Sequence, residues 1–289
     1  MAESQQPTAP IVSANARSGP SPTHDAKAGR RRNRWSPAAV SRRRALISFA
    51  VVFIAWEIIG RFFVTNPLFF VPISEVFRAA FELSSSGELW RHIGTSLTEA
   101  ALGFGLALVI GIAIGGLIAV SHVARDYIEP WVSALYSTPI IALGPLFVLW
   151  FGLGITSKVA VVFLMAIFPI IINTEVGLRN TDRNLVEATR SFGADKWQIF
   201  LKVRLPSSLP FIMAGARNGV ARALVGVVVA ELFGAREGLG YLIFISSQNF
   251  DTANLFVGIL VLALVGIIAV EVLKWAEKRL APWRVEEEK

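Results

Sequence analysis

Apolar and polar stretches alternate along this chain in a regular way. Six apolar segments each approach the roughly 20 residues that a helix needs to cross a bilayer. They cover 45–64, 94–120, 130–150, 158–178, 209–232 and 253–274. Because helices satisfy all backbone hydrogen bonds inside lipid, the pattern predicts an all-α, polytopic membrane protein with six transmembrane helices.

The polar break at 179–206 separates the fourth and fifth predicted spans, and its residues predict a helical hairpin. Asp182 can cap a first short helix, and Gly193 stands where that helix must end. Asp195 can cap a second helix over 196–203, which Pro206 is expected to stop. A simple connection between antiparallel helices needs far fewer residues, so the hairpin is predicted to be a docking surface. The alternative is a loop that lies on the membrane or on its own helix bundle.

Basic residues are distributed unevenly about the predicted spans. Most of the 28 Lys and Arg residues lie in the first 44 residues, in the polar break or near the C-terminus. Because cytoplasmic segments carry an excess of Lys and Arg, this asymmetry predicts an N-in/C-in topology with the hairpin in the cytoplasm. It also explains the basic pI of about 10.1 without a nucleic-acid partner.

Residues 1–44 differ in composition from the membrane domain at 45–289. They are rich in Ser, Pro, Ala and Arg and lack apolar periodicity, so they are predicted to form a disordered, basic cytoplasmic tail. This tail fits either a topology signal or a patch for nucleic acid or anionic lipid. The topology signal is the favoured interpretation.

Several kinds of chemistry are excluded by the composition. The chain contains no cysteine, which rules out disulfides, thiolate metal sites and a cysteine nucleophile. It contains no P-loop motif, and its three histidines stand far apart. The sequence therefore predicts neither an enzyme nor a metal or cofactor site.

A few charged residues and prolines fall inside the predicted spans. Charged groups at depth usually face a cavity or a partner, so Arg222 and Glu231 are candidates for a translocation path, with Arg222 favouring anions. Pro139 is a candidate because proline bends such helices. The alternative for Arg222 and its neighbour Arg217 is that they snorkel toward the cytoplasmic side or pair with carboxylates of neighbouring helices.

The polar break resembles the cytoplasmic loop of importer-type ABC transporter permeases. That loop reads E-A-A, three residues, G, nine residues, I, one residue, L-P. Here Glu187-Ala188-Thr189 is followed at the same spacing by Gly193, Val203 and Leu205-Pro206. Thr189 and Val203 depart from the pattern.

The resemblance implies that this hairpin is the coupling helix that fits into a groove of a cytoplasmic ATPase. In this interpretation the hairpin acts as a lever between the ATPase and the membrane helices. Glu187 and Gly193 would shape this lever, and Ala194 to Phe200 would form the docking surface. The residues implied in coupling are Glu187, Ala188, Gly193, Ala194, Asp195, Lys196, Trp197, Phe200, Leu205 and Pro206.

Other runs resemble the nitrate/sulfonate/taurine/bicarbonate branch of these permeases, among them 150–154 and 238–240. Glu99 departs from that pattern, where a basic residue is expected. The resemblance implies a bacterial inner-membrane permease subunit that pairs with a second copy of itself and carries a small solute.

The implied partners are cytoplasmic ABC ATPase subunits and a periplasmic or lipid-anchored solute-binding protein. The implied substrate is a small anion, with an aliphatic sulfonate or taurine first and nitrate next. The alternative function is a stand-alone secondary carrier or channel, for which coupling-ion ligands would be expected near the middle of the membrane.

Overall fold

The computed structural model describes residues 37–64, 66 and 68–281, and the regular elements in these ranges are all helical. Most of the predicted tail lies outside the described residues, but its last part, 37–44, belongs to the first helix. The α-helices are α1 (Pro37–Ile58), α2 (Ile73–Ser85), α3 (Glu88–Val120), α4 (His122–Ser137), α5 (Gly144–Phe151), α6 (Ile155–Arg179), α7 (Arg183–Ser191), α8 (Lys196–Ile199), α9 (Leu205–Gly234), α10 (Leu239–Gln248) and α11 (Thr252–Leu280). The contacts described below all lie within the compact unit formed by residues 50–289.

Among the described residues, four helices are long and apolar enough to cross a membrane. They are α3, α6, the continuous helix Lys196–Gly234 and α11, and a bent pair that includes α4 and α5 raises the number to five. The first predicted span, 45–64, is helical, but its uninterrupted apolar stretch between Arg44 and Glu57 is shorter than a span needs. The number of six spans therefore stays a prediction.

The third predicted span, 130–150, is not one straight helix. It divides into α4 and a second segment, Ile140–Phe151, which is bent by 85° relative to α4. Thr138 has an extended backbone with ψ of 135°, because a residue before proline is disfavoured in the α conformation. Pro139 thus marks a break in the span.

Pro206 does not end the second hairpin helix, contrary to the expectation from the sequence. The helix that starts at Lys196 passes through a π-helical turn, Phe200–Arg204, and continues as α9. A proline lacks the N–H of the normal ladder and its ring crowds the carbonyl four residues earlier. The wider π turn directly before Pro206 relieves this crowding, so the second hairpin helix and the fifth predicted span form one helix.

Helix α6 is the centre of the bundle and is packed between α3 and α9. Glycines on both neighbours allow close approach: a Cβ atom at Gly111 of α3 would lie 2.9 Å from the Ile170 side chain, and one at Gly219 of α9 would lie 3.0 Å from it. Ile170 is fully buried. Gly111 and Gly115 therefore serve packing within the subunit, as small residues do where membrane helices meet.

We expect Gly115→Ala to destabilise the protein more than Gly105→Ala does, although both glycines lie on α3. A Cβ at Gly115 would lie 2.5 Å from the Ile171 carbonyl oxygen, a backbone atom that cannot easily move, whereas Gly105 faces open space. Overpacking of this kind costs about 1–3 kcal/mol. Thermal unfolding of the two variants in detergent measures the difference, and equal midpoints would contradict the close packing of α3 on α6.

Candidate functional site

The hairpin, defined here as residues 182–204, is held by local hydrogen bonds at each turn. The Asn184 backbone N–H donates to the Asp182 carboxylate at 2.8 Å, which caps α7. The Asp195 side chain accepts from the Gln198 N–H at 2.7 Å, and the Asp195 N–H donates back to the Gln198 side chain at 3.2 Å. This reciprocal pair is a capping box, so both predicted helix starts are confirmed.

Gly193 forms the turn between the two hairpin helices. Its φ is +81°, in the left-handed region that favours glycine. Its N–H donates to the Arg190 carbonyl at 2.9 Å, and the next N–H, from Ala194, donates to the Thr189 carbonyl at 3.3 Å. The predicted helix-ending role of Gly193 is confirmed, and the turn has a defined geometry.

Aromatic side chains project from the tip of the hairpin. Trp197 is 66% exposed and stacks against Phe200 with ring centroids 5.7 Å apart. Phe192, which the sequence reasoning did not select, is 92% exposed. Its position could have identified it from the sequence: Phe192 stands next to the turn glycine of a polar segment, where a large apolar residue has no core to enter.

The predicted coupling residues occupy defined places in this hairpin. Glu187 and Ala188 lie on α7, Lys196 begins α8, and Leu205 and Pro206 begin α9. Ile199 alone among the described hairpin residues from 182 to 204 is buried, at 5% exposure. The side chains at the tip, by contrast, remain exposed.

A basic cavity of about 730 Å³ lies between the hairpin and the adjacent ends of α3 and α6. Glu187 contributes a carboxylate to its lining. The arginines around it are Arg125, Arg179, Arg183, Arg190 and Arg204. A surface with this charge favours acidic groups on whatever docks there.

The far end of the bundle, opposite the hairpin, contains a buried polar cluster formed by His92, Ser96, Glu99, Lys158, Glu231 and the start of α10, residues 238–241. Glu231 is 1% exposed. Its carboxylate accepts from the Ser96 hydroxyl at 2.6 Å and from the Gly240 and Tyr241 N–H groups at 2.5 and 3.2 Å. Glu231 is therefore buried and engaged with the first turn of α10.

The same cluster contains an ion pair between α3 and α6. The Lys158 ammonium lies 3.0 Å from the Glu99 carboxylate, and both side chains are at most 9% exposed. Glu99, the residue that departs from the expected pattern, thus has its own partner here. The pair joins the two helices at the end where α6 begins.

A central cavity of about 560 Å³ lies midway along α6 and α9. Its lining residues are Tyr136, Pro169, Ile172, Asn173, Asn218, Ala221, Arg222 and Val225. Arg222 donates to the Tyr136 hydroxyl at 3.1 Å, and its guanidinium lies 5.3 Å from the centroid of the Tyr136 ring. Pro139 lies three residues beyond Tyr136, at the break in the third predicted span.

Arg217, one turn before Arg222, has a different environment. Its guanidinium forms an ion pair with Glu277 of α11. The alternative of pairing with a carboxylate of a neighbouring helix is therefore correct for Arg217. Arg222 has an aromatic partner instead.

The fold is similar to that of a chain of the MetNI methionine ABC transporter in an inward-facing conformation. The TM-score is 0.60 at 21% sequence identity, and the match covers 66% of this chain and 95% of that chain. The two chains thus share an all-helical fold.

The family model for the binding-protein-dependent transport system inner membrane component matches residues 93–284, and the chain belongs to this family. It is accordingly an inner-membrane, multi-pass transport permease of the ABC importer family, as the resemblance implied.

Relatives cover most of the chain. A Bacillus subtilis protein described as an aliphatic sulfonates transport permease is 36% identical over 89% of this chain and 91% of its own length. The formylaminopyrimidine transport permease of Halalkalibacterium halodurans is 37% identical over 82% and 94%. The taurine transport system permease of Escherichia coli is 28% identical over 89% and 95%. These relatives are transport permease proteins and not enzymes.

Proposed function

We propose that this chain is the membrane-spanning subunit of an ATP-driven importer and that its hairpin docks a separate cytoplasmic ATPase. The observation that carries the proposal is the hairpin itself. It is rigid at both caps and at Gly193, and it exposes Phe192 and Trp197 at its tip. Exposed aromatic anchors of this kind are typical of docking surfaces.

The continuity of the hairpin with α9 supports a lever mechanism. Lys196 to Gly234 forms one helix of 39 residues, which connects the docking surface to the wall of the central cavity. Movement of the ATPase against the hairpin would be transmitted along this helix, because helices shift as packed units between discrete arrangements. ATP hydrolysis itself belongs to the partner subunit in this proposal.

The proposed topology has six spans with both termini in the cytoplasm. The hairpin then meets the ATPase inside, and the start of α10 held by Glu231 lies outside, where a solute-binding protein would deliver substrate. A second copy of the chain would complete the path. Exposed Arg222 and Asn218 on a long apolar helix support this arrangement, since such groups are costly in lipid.

The proposed solute is a small anion, with an aliphatic sulfonate or taurine ranked before nitrate. The names of the Bacillus and Escherichia relatives support this substrate class. In this proposal, Pro139 and Arg222 lie along the translocation path. Glu231 was a candidate for the path too, but its hydrogen bonds favour a role in holding the start of α10.

Gentle affinity purification of the chain from its native membrane, followed by mass spectrometry, tests the proposal. We expect a P-loop ATPase in stoichiometric amounts, together with a solute-binding protein when substrate and nucleotide are supplied. A chain that is recovered intact and alone, in a detergent that preserves such complexes, would favour the secondary carrier.

A further inference from the structure

We propose that the central cavity is a subsite for a singly charged oxyanion, coordinated by the Arg222 guanidinium, the Tyr136 hydroxyl and the amide of Asn218. The inference rests on the proposed transport function, and it assigns the contacts that select the solute within the path. Arg222 lies 17 residues after Leu205, the first residue of α9, and therefore about 25 Å along this helix.

Arg222 is exposed at this depth although the helix around it is apolar. A charged group facing lipid at the centre of a span is unfavourable by several kcal/mol. Asn218 and Ala221 are exposed on the same side, one turn or less away, and all three line the central cavity. This polar side of α9 thus faces a water-filled or partner-lined space.

The charge balance of the cavity favours an anion. Among the described residues that line it, Arg222 is the charged one, and no carboxylate joins it. By contrast, Arg217 is neutralised by Glu277. Among the described residues that line the cavity, no carboxylate therefore balances the positive charge of Arg222, as a site that receives an anion requires.

The donor geometry of the cavity suits oxygen atoms on a small anion. A guanidinium carries five N–H donors, and one of its terminal nitrogens is engaged with the Tyr136 hydroxyl. That hydroxyl has a proton of its own to donate. Asn173 donates to the Pro169 carbonyl at 2.7 Å, so its amide is partly used, whereas exposed Asn218 can turn its amide into the cavity. Sulfonate and nitrate present several acceptor oxygens, and arginine binds such groups through paired hydrogen bonds.

Tyr136 also fixes the position of the guanidinium. The cation–π contact of 5.3 Å holds Arg222 beside α4, directly before the break at Thr138. A change in the bend between α4 and α5 would move Tyr136 and thus alter the anion contacts. Binding and release are thus linked, in this proposal, to the bend of 85° between these two segments.

The test uses the complete transporter reconstituted in proteoliposomes with its binding protein and its ATPase. The probes are radiolabelled taurine, ethanesulfonate and nitrate, together with formylaminopyrimidine, which presents no oxyanion. We expect at least one oxyanion to be carried. Arg222→Gln should reduce its uptake by about tenfold to a hundredfold, because a charge-assisted hydrogen bond is lost.

Three further variants separate a direct contact from a structural effect. Arg222→Lys keeps the charge and should retain more uptake than Arg222→Gln. Asn218→Ala should raise the substrate concentration for half-maximal uptake by about fivefold, consistent with one neutral hydrogen bond. Arg78→Gln removes a largely exposed arginine of α2 that does not line the cavity, and it should leave uptake close to that of the unmodified protein.

Two results would overturn the subsite. One is oxyanion uptake that is unchanged in Arg222→Gln. The other is transport of formylaminopyrimidine alone, with ATP hydrolysis still coupled, which would leave the importer function intact but exclude the anion. Failure of the ATPase to assemble with the unmodified chain is a separate outcome, which contradicts the importer proposal on which the subsite rests.

Discussion

Replacing Gly193 by proline is expected to abolish coupled transport while leaving the membrane bundle folded. Proline fixes φ near −65° and has no N–H, whereas Gly193 requires a φ of +81° and donates to the Arg190 carbonyl. The strain and the lost hydrogen bond together are unfavourable by about 3 kcal/mol or more. Because the hairpin can fray more readily than the bundle can unfold, the turn should lose its geometry first.

The readout is ATP-dependent uptake compared with ATP hydrolysis in the same reconstituted complex. We expect uptake to fall by more than about tenfold while hydrolysis no longer responds to substrate. Gly193→Asn is the matched control, since asparagine tolerates the left-handed region better than other non-glycine residues. It should retain most of the uptake. Normal coupled uptake in Gly193→Pro would contradict the assignment of the hairpin as the lever.

Replacing Lys158 by methionine is expected to cause the largest loss of stability among single substitutions in the far-end cluster. The change leaves the Glu99 carboxylate buried without its partner, and breaking a buried pair in this way is unfavourable by about 3–5 kcal/mol. The expected results are a lower unfolding temperature in detergent and faster proteolysis between α3 and α6.

Two controls define the origin of that loss. The double variant Glu99→Gln, Lys158→Met removes both charges and should recover much of the stability. Arg78→Met breaks the ion pair with Glu82, in which both side chains are largely exposed, and should change stability by less than about 1 kcal/mol. Equal effects of Lys158→Met and Arg78→Met would contradict a buried role for the Glu99–Lys158 pair.

The hairpin shows how much of the site could be predicted from the sequence. Helix caps and left-handed turns depend on a few adjacent residues, so Asp182, Gly193 and Asp195 were sufficient to predict both starts and the turn. The continuation of the second helix through Pro206 could not be predicted in this way. The continuation depends on the π turn Phe200–Arg204, which relieves crowding around the ring of Pro206. No residue pattern in the sequence indicated this turn.

Contacts between distant helices were less accessible from the sequence. Glu231 and Arg222 both appeared as charges within an apolar span, and the spacing did not distinguish them. The structure separates them because Glu231 meets Ser96 and the Gly240 amide, whereas Arg222 meets Tyr136. These partners lie up to 135 residues away along the chain, and no local pattern encodes such pairings.

The break in the third predicted span could be predicted from the sequence only in part. Pro139 indicated a bend, and the extended backbone at Thr138 agrees with the local restriction before proline. The angle of 85° reflects packing of the two segments against the bundle. Local chemistry therefore located the break, and tertiary contacts set its size.

Site-specific cross-linking measures most directly whether the hairpin tip contacts an ATPase, as the proposed function requires. The chain has no cysteine, so Phe192→Cys introduces a single thiol at a side chain that is 92% exposed. Phe81→Cys, at an α2 side chain that is 74% exposed, is the matched control. With a short thiol-reactive photo-cross-linker in native membranes, we expect Phe192→Cys to form an adduct with a P-loop ATPase and Phe81→Cys to form none. Adducts of Phe192→Cys that contain only lipid or this chain would contradict the docking role of the hairpin.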